Sequence, residues 1–475
     1  MQRRFAALSS KIGLIVILAT ACAPLKAQAH TSGGRNALTL VQVIETAKAH
    51  YPAIRATLAQ QQAAHEAVGL ARTAYLPRTD ILWQTNRATA NNIYGLLLPQ
   101  NVIPGISGPV IAADNARSAW SSAGGALASW QPFDFGVRGA KVDAAKRDDE
   151  AAKEAADLTI LEVTAGAGSA FFDLAAAEQL VTVAEANLRR YEAFAKAVHV
   201  LVDNTLRPGA DASQAEAQLA VARNQLIQAQ TQEAVRRSAL AVFVQAGSEQ
   251  LSIDAASVLA SAPAAYPAAS LATSHPSVLK ENALSLEQVA QKHVLDRSYV
   301  PSFALLGAVS GRGAGTGLTG NFPGGTAGLA PDTFNWAAGV QVTFSAFDFF
   351  GLREQKKIQD AKIEAEHARY DLALSDVNAT VEQARATLAG ARQIAANTPA
   401  ELAAAQASEQ QQQVRYRSAL ATVVDVTAAE GVLAQAEADD ALARLSVWRA
   451  ELGIAIAQGD LQPFLDLFGK QTKGK

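Results

Sequence analysis

The sequence predicts a mainly α-helical protein with a small β part, in which a long helical hairpin occurs twice and four strands complete the chain. Three observations predict it: an internal duplication, heptad seams too long for a globule, and four segments that alternate with period two. The duplication comes first, because overlooking a repeat misreads a fold. Tyr75-Leu76-Pro77 returns as Tyr299-Val300-Pro301, and Tyr51-Pro52 as His275-Pro276, both 224 positions later. Phe133-Asp134-Phe135 returns as Phe347-Asp348-Phe349 at an offset of 214. Asp211, Ala215, Glu216, Leu219, Ala220 and Ala222 return as Asp425, Ala429, Glu430, Leu433, Ala434 and Ala436, again at 214. The halves are copies separated by one indel of about ten residues. Each reads helix, strand, strand, very long helix, return helix. The organisation is a signal peptide (1–29), a first repeat (30–250), a linker (251–274), a second repeat (275–460) and a C-terminal tail (461–475).

The N-terminus has the pattern of a secretory signal. Arg3, Arg4 and Lys11 make a basic start, residues 12–23 are a short apolar run, and Ala27-Gln28-Ala29 fits a small-residue cleavage site before His30. The run is too short for a membrane-spanning helix. Cys22, the only cysteine, follows Leu18-Ala19-Thr20-Ala21, which resembles a lipoprotein box, so lipidation of Cys22 competes with cleavage after Ala29. Pro24 and the Ala-Gln-Ala site favour the latter. By either route no disulfide forms within one mature chain, although the destination is oxidising. Loss of Arg3, Arg4, Lys11 and Lys26 leaves 37 basic residues against 44 acidic ones. That balance argues against a nucleic-acid partner, which would call for a basic patch.

Residues 137–204 contain no proline. Positions 156, 160, 163, 167, 170, 174, 177, 181, 184, 188, 191, 195, 198 and 202 are Ala, Ile, Val, Ala, Ala, Leu, Ala, Val, Ala, Leu, Tyr, Ala, Val and Val. Steps of three and four alternate without a slip, the pattern of coiled-coil-like packing. The helix would be roughly 100 Å long at ~1.5 Å per residue, deeper than any globular core, so it lies along a rod or a tube. Ile363, His367, Tyr370, Leu374, Val377, Val381, Ala384, Leu388, Ala391 and Ala395 repeat the device; His367 reads as a packed seam residue rather than a metal ligand. Thr398-Pro399-Ala400-Glu401 reads as a capping box with Pro at the first helical position, which predicts a break or kink. Alanine dominates both seams and lets helices approach closely. Arg207-Pro208-Gly209-Ala210-Asp211 is a turn with Asp211 as the expected N-cap, and the return helices run to about Gly247 and Gly459.

Strands are predicted at 78–94, 116–130, 302–312 and 334–347. Val340, Val342 and Phe344 alternate with Gln341, Thr343 and Ser345, the weak signature of a barrel strand in an outer membrane. Trp83, Trp120, Trp130 and Trp336 lie in or beside these segments, where an aromatic girdle would sit. An ordinary β-sandwich edge is the rival reading of the same pattern. The connections at 93–115 and 313–333 are too long for tight hairpins. Four strands cannot close a barrel, and an open edge cannot exist in lipid. The chain must lend its strands to an oligomer, two copies supplying eight and three supplying twelve; the physics does not choose between them.

Leu38-Thr39-Leu40 opens into an Ala-rich helix, and Tyr51-Pro52, Tyr75-Leu76-Pro77, Trp130-Gln131-Pro132-Phe133-Asp134, Ala170-Phe171-Phe172-Asp173-Leu174 and Val424-Asp425-Val426 follow in order. In these motifs the chain resembles the TolC-like outer-membrane factor family, from Leu38 to about Gly459. Singly these motifs are weak; in this order, and duplicated, they are specific. The resemblance implies a homotrimer with one shared transmembrane β-barrel of twelve strands in the cell outer membrane and a periplasmic α-barrel of twelve helices. It implies the exit duct of a tripartite efflux or type I secretion system, partnered by a periplasmic adaptor and an inner-membrane pump. It further implies a periplasmic gate at Asp425, the first of two family aspartates; Ala428 stands where the second would be. Adaptor contacts carried over to the tips would fall on Leu206, Arg207, Pro208, Gly209, Ser418, Ala419 and Leu420, although the family's Val-Gly-Leu-like turn is missing at both.

No metal-ligand cluster, phosphate loop or nucleophile elbow is found, so neither an enzyme nor a cofactor is expected. Gly311, Gly313, Gly315 and Gly317 match no phosphate-binding spacing. Met1 is the only methionine, which disfavours soft-metal export as the cargo. The rival from another class is a secreted coiled-coil surface fibre or adhesin. It explains the heptads and the signal but not the four alternating segments.

Overall fold

The computed structural model describes residues 37–89, 117–260, 271–317 and 323–473. The signal region with Cys22 and Ala29, and the loop expected at 93–115, lie outside the described residues. Each copy begins with short helices, α1 (Leu40–His50) and α2 (Pro52–Thr73) in the first and α6 (Pro276–Arg297) in the second. Strands β1 (Arg78–Thr89) and β2 (Ser118–Trp130) lead into α3 (Val137–Asp203) and its return α4 (Gly209–Val244). After α5 (Ala256–Ala260), β3 (Ser302–Ala314) and β4 (Thr333–Thr343) lead into α7 (Asp348–Arg417) and α8 (Val423–Gln458). Residues beyond 460 form α9 (Gln462–Lys473), whose Phe464 and Phe468 are buried edge-on against Trp448.

The repeated motifs are the joints. Thr39 and Gln42 make a reciprocal capping box that starts α1. Pro52 and Pro276 each occupy the first turn of a helix, where a missing N–H costs nothing. The residues before them dock on the return helices: Tyr51 stacks on Phe243 with ring centroids 5.3 Å apart, and His275 Nε2 lies 3.2 Å from the Ile456 carbonyl. At the sheet's lower end, Asp134 accepts hydrogen bonds from the Gly136 and Arg138 N–H groups and from Arg138 Nε. Although burial opposes it, these bonds hold the Asp134 carboxyl below its usual range. Arg138 in turn covers the Tyr75 ring at 4.7 Å. In the second copy Tyr299 donates to the Ala346 carbonyl and packs on Phe349. Tyr-x-Pro and Phe-Asp-Phe are thus the two sides of one elbow between strand and helix.

Helices α3 and α7 run the full length of the helical body and change neighbours halfway. Nearer the sheet the row is α2, α3, α6, α7; in the far half it is α4, α3, α8, α7. A mid-length core fixes the exchange, built on Phe171, Phe172, Leu174, Trp448 and Leu452 with Leu40 and Ile44 of α1. Part of α3 has the mean hydropathy of a membrane span, but 67% of that window is buried within the chain; it is a core helix. All fourteen seam positions of α3 are buried or half-buried. Of the ten in α7 only His367 is exposed, its Nδ1 3.4 Å from Ser285 Oγ.

The break expected at Thr398-Pro399 does not occur: α7 is continuous with Pro399 inside it. Packing holds the helix on both sides. Leu388, Ala391 and Ala395 pack on Val447 and Ala450 before the proline, and Leu402 and Ala405 pack on Leu433 and Ala436 after it. Those contacts outweigh the roughly 3 kcal/mol that an interior proline costs a helix.

The four strands form one antiparallel sheet in the order β1-β2-β3-β4. β4 stops at Thr343 rather than at Phe347 as expected. Thr343 pairs with Ser302; the next residue on that side is Pro301, which has no N–H to extend the ladder. Register puts Ile81, Trp83, Trp120, Trp130, Leu305, Val309, Phe334, Trp336 and Val340 on one face, where Trp83 pairs with Gly124 and Val309 with Trp336. All four expected tryptophans share this face, with Trp120 and Trp130 at opposite ends of β2. Trp336 is 80% exposed and Ile81 85%. The other face carries Asp80, Gln84, Ser129, Ala308, Asn335, Gln341 and Thr343. Among the described residues, the outer edges of β1 and β4 have no partner strand.

The end helices also keep a second seam uncovered. On α7, positions 358, 361, 365, 368, 372, 375, 379, 382, 386, 389, 393, 396, 400, 403, 407, 410 and 414 alternate by three and four, and every one is exposed. Ten of these seventeen are alanine, with Ile358, Leu372 and Val414 among the rest. At the opposite end of the row, α4 exposes Ala217, Ala220, Ile227 and Ala234, and α2 exposes Ala56, Ala59, Ala63 and Leu70.

Candidate functional site: the paired helical tips

The hairpins α3/α4 and α7/α8 turn at equivalent places. Thr205 (φ 59°) and Ala419 (φ 61°), 214 positions apart, both take the left-handed conformation that ends a helix. The Leu206 N–H reaches back to the Leu201 carbonyl at 2.9 Å, and the Leu420 N–H to that of Arg415 at 2.8 Å. This is the Schellman closure, made twice without the customary glycine. Leu206 and Leu420 project from the turns, 68% and 70% exposed. Pro208, Gly209, Ser418 and Ala419 are exposed beside them. Arg207 is turned inward instead. Its guanidinium lies 4.3 Å over the Tyr416 ring and donates to the Tyr416 carbonyl.

Tyr416 clasps the two tips together. It is 3% exposed and packs against Phe194, and its hydroxyl donates to Asp211 Oδ2 at 3.3 Å. Phe194, Ala195, Val198, Ala212 and Ala215 of the first hairpin form one core with Tyr416, Ala421, Val423 and Val426 of the second. Asp211 is therefore not the N-cap expected of it: Pro208 holds that position without a side-chain bond, and Asp211 sits in the first turn facing Tyr416.

Asp425 lies in the first turn of α8 with Thr422 as the N-cap. Its Oδ2 accepts the Thr422 N–H at 2.7 Å and the Thr422 hydroxyl at 2.8 Å. The bond from the Thr422 N–H, then that from its hydroxyl, holds this exposed carboxyl below its usual range. Asp425 is an anion that caps its helix and faces solvent.

A second group, unanticipated in the sequence, lies deeper between the hairpins. Arg190 of α3 binds Glu437 bidentately at 2.9 and 2.8 Å, and its Nε meets Glu430 Oε2 at 3.1 Å. Glu430 is 1% exposed and also accepts from Gln413 Nε2 at 3.3 Å. Burial first, and then the Glu430 carboxylate, push the Glu409 carboxyl of α7 up to about 7. A cavity of about 190 Å³ adjoins the group, lined by Arg190, Phe194, Gln413, Tyr416 and Arg417. One signal could have revealed it. Val423, Val426, Glu430, Leu433 and Glu437 step by three and four, placing two acids in an apolar seam. The equivalent Glu216 faces outward and meets His199 at 2.9 Å. Among the described residues, no group of three His, Cys, Asp or Glu is placed to hold a metal ion. The arrangement is a mechanical clasp of two hairpin ends.

Residues 43–244 and 276–460 match the family described as outer membrane efflux protein, with the gap falling at the junction of the two copies. The chain is similar to the solved outer-membrane channel OprN (18% identity, 88% of this chain and 89% of that one, TM-score 0.71). It is similar to the CmeC outer membrane channel of Campylobacter jejuni (15%, 91% and 89%, TM-score 0.71). It is also similar to the MtrE outer membrane channel of Neisseria gonorrhoeae in its open state (19%, 89% and 89%, TM-score 0.66). No curated protein sequence matches the chain.

Proposed function

Because the chain belongs to the outer membrane efflux protein family, it is an exit duct of the outer membrane with a periplasmic extension, and we propose that the duct is a homotrimer closed by the uncovered seams of α7, α2 and α4. The carrying observation is the seventeen-position stripe on α7, exposed from end to end. A helix in the wall of a tube packs on two sides, and α7 has a neighbour on only one. Its stripe fits α2 of the next copy near the sheet and α4 of that copy in the far half. Such head-to-tail contacts form a ring when the rotation closes, and the same rotation joins β4 of one copy to β1 of the next. Three copies give twelve strands, enough for an open lumen. The duct carries out no reaction; it works with an inner-membrane pump and a periplasmic adaptor, in efflux or type I secretion. Leu206, Pro208, Gly209, Ser418, Ala419 and Leu420 meet the adaptor at the tips, and Arg207 positions them from behind.

Leu372 lies in the stripe and is 60% exposed. Leu372→Asp is expected to abolish the trimer in native mass spectrometry of the detergent-solubilised mature protein. A wild-type protein that runs as a single chain, or a Leu372→Asp variant that stays trimeric, counts against this reading.

Asp425 is proposed as the periplasmic gate, one anionic ring per trimer. Converging carboxylates attract cations and repel one another, and the capping bonds keep each of them charged. Asp425→Ala is expected to raise single-channel conductance in planar bilayers or to reduce block by divalent cations. A variant unchanged in both takes Asp425 out of the gate.

A further inference from the structure

The glycine run at the end of β3 matches no phosphate-binding spacing, yet it is regular. Gly311 and Gly313 follow Val309 on the aromatic face, and Gly315 continues the series just past the strand. Alternate residues of a strand point to one side, so this stretch of the face carries only hydrogen. The chain's own backbone fills the space. The ladder between β3 and β4 ends at Arg312 and Thr333, with the Asp332 N–H reaching the Arg312 carbonyl at 3.0 Å. Pro331, next along, has no N–H to continue it, and residues 327–331 leave the edge of β3 and cross over its face. A Cβ at Gly313 would run into the Ala330 carbonyl, and one at Gly315 would lie 2.5 Å from the Ala327 carbonyl oxygen. Gly328, at φ 89°, rests where the Gly315 N–H meets the Trp120 carbonyl at 2.8 Å, on the hydrogen bond that joins β3 to β2. Ser122 of β2 lies beside Gly313 beneath this crossing and is 3% exposed.

We propose that residues 327–331 are a strap seated in this glycine track on the outside of the barrel wall, tying the second copy's exit loop away from the mouth of the duct. The inference rests on the barrel reading above, in which the aromatic face is the outward one. Irregular backbone facing lipid does not occur in hydrocarbon, so the strap lies at headgroup level and marks the outer limit of the apolar band. The paired part of β3 below it, Ser302 to Arg312, has the roughly 9–11 residues that a tilted strand needs to cross a bilayer core. Trp120, at the strap, has the Arg87 guanidinium 5.3 Å from its ring, and such amphipathic rings gather at the membrane boundary. At Gly313 and Gly315 the strap approaches backbone to backbone, with no flexible side chain to give way. A side chain in the track therefore lifts the strap from the wall.

The test uses the mature full chain in detergent with one spin label per copy. The label is placed at Ala330→Cys on the strap or at Arg312→Cys, which lies on the opposite, polar face of β3 at nearly the same height. In a ring, the separation of equivalent labels reads their distance from the axis. The expected result is a longer separation for Ala330→Cys than for Arg312→Cys. Adding Gly313→Val is expected to broaden the Ala330→Cys distribution. Gly307→Val, on the same strand and face but with open space around its Cβ, is expected to leave it unchanged. An Ala330→Cys separation equal to or shorter than that of Arg312→Cys overturns the proposal, because the loop then lies over the mouth. So does an assembled Gly313→Val ring with the unaltered distribution; if that variant does not assemble, the first comparison decides. Absence of any separation between labels removes the ring, and the strap's outside position with it, whereas discrete separations in the wrong order remove the strap alone.

Discussion

Val309→Arg is expected to prevent assembly in the outer membrane, whereas Asn335→Arg leaves it intact. The two residues are neighbours in space: Val309 pairs with Trp336, and Asn335 pairs with Ser310 one step along. They lie on opposite faces. Val309 is 64% exposed in the middle of the aromatic and aliphatic face, and in a barrel that face meets lipid. An arginine at the bilayer midplane on the lipid side costs roughly 2–4 kcal/mol. Three substituted strands per ring would multiply that to about 6–12 kcal/mol, comparable to the whole stability of an ordinary domain. Asn335 belongs to the small and polar face, where the same charge stays in water. Heat-modifiable migration of outer-membrane extracts reads the outcome. If the two variants behave alike, the faces have been assigned wrongly and the sheet is not a lipid-facing wall.

Arg190→Ala is expected to destabilise the helical body strongly. It leaves Glu430, 1% exposed, beside Glu437 and Glu409 with no bonded cation. Removing one partner from a buried ion pair costs about 3–5 kcal/mol, because the other charge is stranded. The double variant Arg190→Ala/Glu430→Ala is expected to recover part of the loss. The clasp at Tyr416 lies farther toward the tip on the same two hairpins, so the single variant should also raise conductance by loosening them. Urea unfolding of the solubilised protein checks the first effect and planar-bilayer recording the second. An unfolding free energy within about 0.5 kcal/mol of wild type, the scatter of ordinary surface substitutions, would show that the group holds nothing together.

The long-range order of this chain was legible because its period is simple. The α3 seam can be written down from the sequence, and none of its fourteen positions is exposed. The tryptophans and the alternation of Val340, Val342 and Phe344 marked the sheet, and register then gathered the four tryptophans on one side. Legibility ended where tertiary contacts overrode local chemistry. Pro399 carries a strong stop signal, yet packing on α8 before and after it carries the helix through. The end of β4 depends on Pro301, the residue just before the opposing strand, and so is invisible in the segment itself. Arg207 reads as an exposed turn residue and instead stacks on Tyr416. Glu430 and Glu216 are equivalent by repeat, but only Glu430 faces an arginine of the other hairpin; the two copies diverged in what they face, which a single copy's pattern cannot reveal.

The uncovered α7 stripe bears on biogenesis. A newly exported subunit carries two adhesive flanks at once, one along its rods and one along its strand borders. Unshielded strand borders and apolar grooves are the features by which chains coalesce indiscriminately. Productive maturation then becomes a race between circularisation, which stops once the ring closes, and clumping, which keeps adding chains, so dilution favours the ring. Secretion flux, more than the intrinsic steadiness of any one subunit, would set the yield of finished conduits.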